Sequence, residues 1–463
     1  MLNAYSDASD HSKANLRTSS RISKSVDQIH NLVIPGSNSD PNEPSFSATR
    51  SLTNAGVALI HQQIPTAVIC VDVWLPAGTS SEPEQWSGIA HFMEHMIFKG
   101  TQDILPGEFD WLIETYGGIS NAATSHDYVH FSFTTASDFF APTLICLAKL
   151  LLEAKVPDSE FERERSVVIE EMYQALDHPD WIAHQNLMQT AYGEHPYSRP
   201  VLGHESTLRS LTAADLREYH TRHYRPENMT VVVVGNINLP QAQEVVEAAF
   251  GILPQNPRNN SPRAKPEQAI GLCQIPAVDV QQMIGLEQAR ITLAWFGADI
   301  SQMEDAVQLE ILTMILAGGR SSRLVRSLRE EQGLVIEIDS DFTVQRSPGL
   351  FTVSALLDAH HLEPVEHQIQ QQIRLLSEIP VSQLELERAG RALANQFAFA
   401  TESPAALASL LGYYGMLGCE HLCENWISAY GKILQRATPK SLQNLAQKYL
   451  PSDRYTITCL LPR

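Results

Sequence analysis

The sequence predicts an α+β fold of two homologous domains, each a mostly antiparallel sheet packed with helices. One order of elements, a strand, a helix and then two more strands, occurs twice along the chain. The strands come as hairpins interrupted by long helices, which is typical of antiparallel sheets. A proline-rich stretch, residues 254–275, separates the two copies and is predicted to be a linker. We therefore predict domains over residues 45–253 and 276–463, preceded by a flexible polar arm, residues 1–44.

The first copy begins with a β-branched run, residues 67–78, which predicts a strand. Residues 88–100 have helical periodicity, and residues 125–135 alternate as a half-buried strand does. Residues 158–176 are rich in strong helix formers and predict a long helix.

The second copy repeats this order, with a strand at residues 289–299, a helix at 305–319 and a strand pair over 336–357. Aligning MIFKG of the first helix with MILAG of the second places polar residues of one copy opposite mostly apolar residues of the other. The aligned pairs are His91 and Leu309, Glu94 and Leu312, and His95 and Thr313. We therefore expect any chemistry to belong to the first domain.

The charge balance argues against a nucleic-acid partner. The 463 residues include 33 Lys and Arg against 53 Asp and Glu, a net charge of −20, without a basic stripe that would bind nucleic acid. A basic peptide is the better match. The most apolar stretch, residues 139–156, contains Pro142 and Lys149 and is too short to span a bilayer, so we expect no membrane span.

The N-terminus and the cysteines indicate a reducing compartment. The first 20 residues lack the apolar core of a secretory signal, and the six cysteines are too scattered for a disulfide scaffold. We expect free thiols and a cytoplasmic location, although the Ser-rich start leaves an organellar transit peptide open.

The motif HFMEH offers a metal site. At 100° per residue, His91, Glu94 and His95 leave one face of a helix, where two imidazoles bind one Zn²⁺ and a carboxylate acts on its water. The pair His126 and His130 has the same spacing, but in a strand it spans about 13 Å and cannot share an ion.

A catalytic zinc site needs a third protein ligand. Glu164 and Glu171 lie two helical turns apart within residues 158–176 and share a face. An ordinary solvated helix explains the same charges, and the spacing alone does not choose between the two interpretations.

Five blocks of sequence, in a fixed order over nearly all of residues 45–463, resemble a known family. They are VWLPAGTSSEPEQWSGIAHFMEHMIFKGT with the later ERERSVVIEEM, then GGISNAATSHDY, HPYSRPVLG, LTAADLREYHTRHYRPENMTVVVVGNI, and GGRSSRLVRSLREEQGL. The chain resembles the peptidases with an inverted zinc motif: the M16 family of pitrilysin, insulysin and mitochondrial processing peptidase. One HxxEH motif is only suggestive, whereas the ordered set is specific.

The resemblance implies a zinc endopeptidase. It makes His91 and His95 metal ligands, Glu171 the third ligand rather than the glutamate before it, and Glu94 the general base for the zinc-bound water. Glu164 matches a supporting carboxylate that orients a ligand.

The resemblance also implies how substrate is bound. Asn121 and Ala122 match an edge strand that pairs with an extended peptide, and Arg329 matches a substrate-binding arginine of the second domain. The tyrosine that accompanies this arginine in the family is replaced by Ile336, which cannot donate the phenolic hydrogen bond.

A chain of two such domains resembles half of the family's clamshell, so a homologous partner chain is expected. Because Ile336 removes one substrate contact, a hetero-pair with a chain that carries the Arg and Tyr is favoured over a homodimer. The predicted activity is hydrolysis of peptides, basic ones preferred, or unfolded segments in a chamber between two chains. The alternative is a non-catalytic structural or peptide-binding subunit.

Overall fold

A computed structural model describes residues 48–251, 277–418 and 426–463. The predicted arm, residues 1–44, and the predicted linker, residues 254–275, lie outside the described residues. Six strands form the first sheet: β1 (Thr49–Leu52), β2 (Ala58–Gln63), β3 (Val68–Leu75), β4 (Ile119–Thr124), β5 (Val129–Ala136) and β6 (Thr230–Gly235). Their order across the sheet is β1-β2-β6-β3-β5-β4, and only the β2–β6 pair is parallel.

Helices cover this sheet, and two of them were predicted from the sequence. The predicted helix over 158–176 is present over the same residues, and the predicted helix over 88–100 is shorter at both ends. The set is α1 (Ile89–Ile97), α2 (Glu108–Thr115), α3 (Phe140–Glu153), α4 (Asp158–Leu176), α5 (Pro179–Tyr192), α6 (Glu205–Ser210), α7 (Ala213–His223) and α8 (Leu239–Phe250).

The second sheet repeats the topology of the first. Its strands are β7 (Ala277–Met283), β8 (Ala289–Phe296), β9 (Glu337–Phe342), β10 (Leu350–Leu357) and β11 (Thr456–Pro462). The order β7-β11-β8-β10-β9 corresponds strand by strand to β2-β6-β3-β5-β4, and the parallel pair β7–β11 corresponds to β2–β6. The repeated order of elements read from the sequence is therefore a repeat of structure.

The helices of the second half include the counterpart of α1. In α9 (Met303–Ala317) the positions opposite His91, Glu94 and His95 are buried. Two of these positions are leucines and the third is Thr313, so this copy packs mostly apolar side chains there. The remaining helices are α10 (Leu362–Glu378), α11 (Gln383–Glu402), α12 (Pro404–Met416), α13 (Trp426–Arg436) and α14 (Pro439–Tyr449).

Each half donates a helix to the sheet of the other. α12 of the second half packs on β3 and β6, and α5 of the first half packs on β11, β7 and β8. The contact is close: a Cβ added at Gly412 would lie 2.0 Å from Nε1 of Trp74. Because both exchanges bury apolar side chains, the two halves are held as one interlocked unit.

The structure also bears on membrane-spanning helices and on the state of the cysteines. Among the described residues, no helix has both the length and the apolar character needed to cross a bilayer. The described cysteines, Cys70, Cys146 and Cys459, are free thiols.

Candidate functional site

The helix that carries HFMEH is fixed at its N-terminus by a buried carboxylate. Glu82 is 5% exposed and accepts hydrogen bonds from the backbone N–H groups of Gly88 (3.0 Å) and Ala90 (2.7 Å). These are among the donors that a helix leaves without partners in its first turn. Gly88 has a φ of 94°, a left-handed conformation that glycine adopts without strain. The start of α1 is therefore set by residues that precede the motif.

One face of α1 packs against the core. This packing sets the direction of the polar side chains on the opposite face. Phe92 and Met93 are fully buried, and the ring of Phe92 stacks on Phe161 of α4 with centroids 4.9 Å apart. This contact holds α4 alongside α1. The polar side chains of HFMEH consequently face the later turns of α4.

The structure brings His91, His95 and Glu171 together. One ligand atom from each lies within 4.8 Å of the others. His91 Nε2 is 3.7 Å from Glu171 Oε1, and His95 Nε2 is 3.3 Å from Glu171 Oε2. Ligand atoms bound at about 2.0–2.2 Å around a tetrahedral zinc lie about 3.3–3.6 Å apart. The donor set fits zinc and its atoms lie close to this spacing, whereas the adjacent Glu170 is exposed and lies outside the cluster.

The two imidazoles are in different electrostatic environments. Burial, followed by the neighbouring His95, lowers the pKa of His91 to about 4, so His91 is neutral near pH 7 and can bind a metal. Burial also acts to lower the pKa of His95, but hydrogen bonds to Glu171 and Glu164 outweigh it and raise this pKa. The Nδ1 atom of His91 is buried without a hydrogen-bond partner in the described part of the chain.

Glu94 lies beside the cluster but is not one of its three members. Its carboxylate accepts a 2.5 Å hydrogen bond from Thr124 Oγ1, at the end of β4. Burial raises the pKa of Glu94, opposed by this hydrogen bond and by His95. A carboxylate with a raised pKa is closer to the range in which a general base works at neutral pH. Glu94 is therefore available for proton transfer.

A second layer of charge orients His95. Glu164 Oε1 is 3.0 Å from His95 Nδ1, and Glu164 Oε2 is 2.6 Å from Lys99 Nζ. Although burial acts to raise the pKa of Glu164, Lys99 and His95 lower it, so Glu164 is ionised. It can accept the Nδ1 proton of His95 and leave Nε2 free to bind a metal.

Sequence reasoning missed two side chains of this site. Lys99 lies four residues after His95, a spacing that brings side chains to one helix face, and this was the available signal. Thr124 follows three residues after Asn121 in the block NAAT and had no signal of its own.

Replacing Glu164 with Gln is expected to weaken zinc binding about 10–100-fold, the range typical of groups that orient a metal ligand. Gln cannot balance the charge of Lys99, and its amide need not fix the tautomer of His95. The matched control is Glu162→Gln on the same helix, which breaks only a 3.0 Å ion pair with Arg165. Competition titration with a chelating dye measures both affinities, and equal affinities would contradict the orienting role.

The remaining sequence-predicted residues do not join the cluster. Asn121 and Ala122 lie on β4, the last strand of the first sheet as described, and pair with β5 on one side only. Arg329 lies in a π-helical turn of the second half, where it pairs with Glu330 at 2.9 Å. Ile336 is 55% exposed on the same half.

The second histidine pair is divided between different partners. His130 Nδ1 is 2.9 Å from Asp72 Oδ1, and His126 Nε2 is 3.3 Å from the carbonyl oxygen of Arg199. Neither residue belongs to the three-member cluster.

Two family models match consecutive parts of the chain. Residues 57–205 match the model described as insulinase (peptidase family M16), and residues 210–393 match the peptidase M16 inactive domain. The site described above lies within the first match.

Similar proteins carry the zinc protease name. The chain is 29% identical over 370 residues to the uncharacterized zinc protease YmxG of Bacillus subtilis, covering 79% of this chain and 87% of YmxG. It is 27% identical over 380 residues to the zinc protease PqqE of Helicobacter pylori, covering 81% and 83%.

A solved structure agrees at the level of the fold. The crystal structure of a protease from Helicobacter pylori matches with a TM-score of 0.85 and 24% identity, covering 90% of this chain and all of that one. With two consecutive family models and zinc proteases among its relatives, the chain belongs to peptidase family M16.

Proposed function

We propose that the chain is a zinc endopeptidase that hydrolyses peptides or unfolded segments in a chamber formed by two chains. The observation that carries the proposal is the three-member cluster of α1 and α4 with the half-buried Glu94 beside it, bonded to Thr124. The metal centre would belong to a domain over residues 45–253, and a homologous domain over 276–463 would lack it.

The proposed metal ligands are His91, His95 and Glu171. When bound there, zinc lowers the pKa of a water molecule towards about 7 and polarises the scissile carbonyl. His95 would have to lose its proton to bind the metal, and the two imidazoles and one carboxylate would then compensate only half of the zinc charge, which would preserve its strength as a Lewis acid.

Glu94 is proposed as the general base and then the general acid. It accepts the proton of the attacking water and delivers that proton to the leaving amine. The hydrogen bond from Thr124 holds Oε2 of Glu94 and leaves Oε1 for this transfer. Glu164 and Lys99 take no part in this proton transfer. They fix the orientation of His95 before substrate binds.

We further propose that substrate binds as an extended strand along β4, at Asn121 and Ala122. The far edge of β4 has no strand beside it in the described residues, and backbone pairing recognises extended peptides with little regard to side chains. The net charge of −20 favours basic peptides.

Arg329 would hold substrate from the second half, together with a tyrosine from another source. Ile336 stands where the family has this tyrosine, so we propose a homologous partner chain that supplies the Arg and Tyr, with a homodimer as the competing outcome.

Metal analysis and peptide hydrolysis on the purified native complex test the proposal. We expect one zinc per chain after dialysis, hydrolysis of an unfolded basic peptide, loss of this activity with a chelator, and recovery on adding zinc. Gel electrophoresis of the same sample identifies the partner. A chain without stoichiometric zinc, or hydrolysis that the chelator leaves unchanged, would favour a structural or peptide-binding subunit.

A further inference from the structure

We propose that Tyr197 and Asp127 are positioning residues that couple the second half of the chain to Glu94. They act through the segment of residues 195–199, which begins the HPYSRPVLG block. This inference rests on the proposed peptidase function, since Glu94 is the group positioned. Neither residue belongs to the three-member cluster.

Tyr197 and Asp127 form a buried junction between the halves. The Tyr197 hydroxyl donates a 2.6 Å hydrogen bond to Asp127 Oδ2, and these residues are 1% and 6% exposed. The same Asp127 oxygen accepts the backbone N–H of Arg346 at 3.0 Å, and the Tyr197 oxygen accepts that of Ser347 at 3.2 Å. A buried carboxylate with two donors is strongly anchored, because loss of either donor leaves unsatisfied polar atoms.

The loop that donates these bonds, residues 343–349, belongs to the second half. It joins β9 to β10, and its Val344 carbonyl accepts a hydrogen bond from Tyr413 of α12. α12 in turn packs on β3 and β6 of the first sheet. The loop is therefore hydrogen-bonded to α12, the helix of the second half that packs on the first sheet.

On the first half, the junction lies three residues along the chain from Thr124, the residue that donates a hydrogen bond to Glu94. Asp127 lies in the turn of residues 125–128 between β4 and β5, and Thr124, the donor to Glu94, directly precedes this turn. The turn packs closely on Gly78, where an added Cβ would lie 2.4 Å from the carbonyl oxygens of Ser125 and His126. Because the turn is also closed by a 2.8 Å backbone bond from Ser125 to Tyr128, we expect a displacement of Asp127 to be transmitted to Thr124.

The same segment also contacts the start of α1. The guanidinium of Arg199 donates to the backbone carbonyl of Glu82 at 2.9 Å, and the Glu82 carboxylate caps α1. Further along the block, a Cβ at Gly203 would lie 2.7 Å from Cα of Gly88. Residues 195–203 thus contact both the turn that follows β4 and Thr124, and the residues that precede α1 and Glu94.

The competing explanation is that these bonds only hold the two halves together. Tyr192 separates the two explanations, because it is 4% exposed and its hydroxyl donates to the Pro348 carbonyl (2.7 Å) of the same loop. It makes no hydrogen bond to residues 125–128 among the described contacts. Tyr192→Phe therefore removes hydrogen bonds to the loop, one of them to Gln345 Oε1 at 3.2 Å. It keeps the ring that packs on Tyr197, with centroids 5.3 Å apart.

The test compares Tyr197→Phe and Tyr192→Phe in the zinc-loaded native complex. We expect Tyr197→Phe to lower kcat about 10-fold at nearly constant KM, because a misplaced base impairs the transition state more than substrate binding. Tyr192→Phe should change kcat less than about 2-fold. Hydrogen–deuterium exchange on the same proteins should speed up over residues 121–128 only in Tyr197→Phe.

Equal losses of kcat in the two variants, or unchanged exchange over residues 121–128 in Tyr197→Phe, would overturn the proposed coupling. Zinc content, expected to stay at the wild-type level in both variants, separates positioning from loss of the metal centre. An inactive wild-type complex would contradict the peptidase proposal instead, and the exchange data would still decide whether Tyr197 fixes the turn.

Discussion

Glu94→Gln is expected to keep its zinc and to lose about 10²–10⁴-fold in kcat, the typical contribution of a general acid–base group. The change keeps the shape of the side chain and its ability to accept a hydrogen bond from Thr124. It removes the basic oxygen that takes the proton of the attacking water. Because Glu94 is not one of the three clustered residues, metal binding should be unaffected.

Zinc content and turnover, measured on the same preparation, check this result. A Glu94→Gln variant with full zinc and normal turnover would contradict the assignment. Loss of zinc together with activity would instead mean that Glu94 supports the metal site.

Glu171→Ala is expected to reduce zinc affinity by more than the 10–100-fold typical of orienting groups, because it removes a ligand itself. Glu171 also supports both imidazoles, at 3.7 Å from His91 and 3.3 Å from His95. The matched control is Glu170→Ala: the neighbouring side chain has the same charge but is exposed and outside the cluster.

Chelator competition on the purified variants measures the two affinities. The Glu170→Ala variant should bind zinc as the wild type does. The opposite order, with zinc lost only in Glu170→Ala, would assign the third ligand to Glu170 and contradict the placement of α4 against α1.

The local part of the site could be read from the sequence. In HFMEH, helical spacing alone places His91, Glu94 and His95 on one face, and the structure has them on α1. Aligning the two helices identified the second copy, α9, as mostly apolar at these positions. Both predictions depend only on the geometry of a single helix.

The long-range part of the site depends on how helices and strands pack. Glu164 is 69 residues from His95, Thr124 is 30 from Glu94, and Tyr197 is 70 from Asp127. Periodicity within α4 could not distinguish a ligand helix from a solvated one, so resemblance to the family was needed for Glu171. It could not supply Thr124 or the junction at Tyr197, because their roles come from contacts between elements.

Anomalous diffraction at the zinc edge, on crystals of the purified native complex, would locate the metal itself. We expect one strong peak per chain, within about 2.0–2.2 Å of a nitrogen of His91, a nitrogen of His95 and a carboxylate oxygen of Glu171. Zinc bound elsewhere on the chain, or a fully active complex without a peak at these three residues, would contradict this expectation.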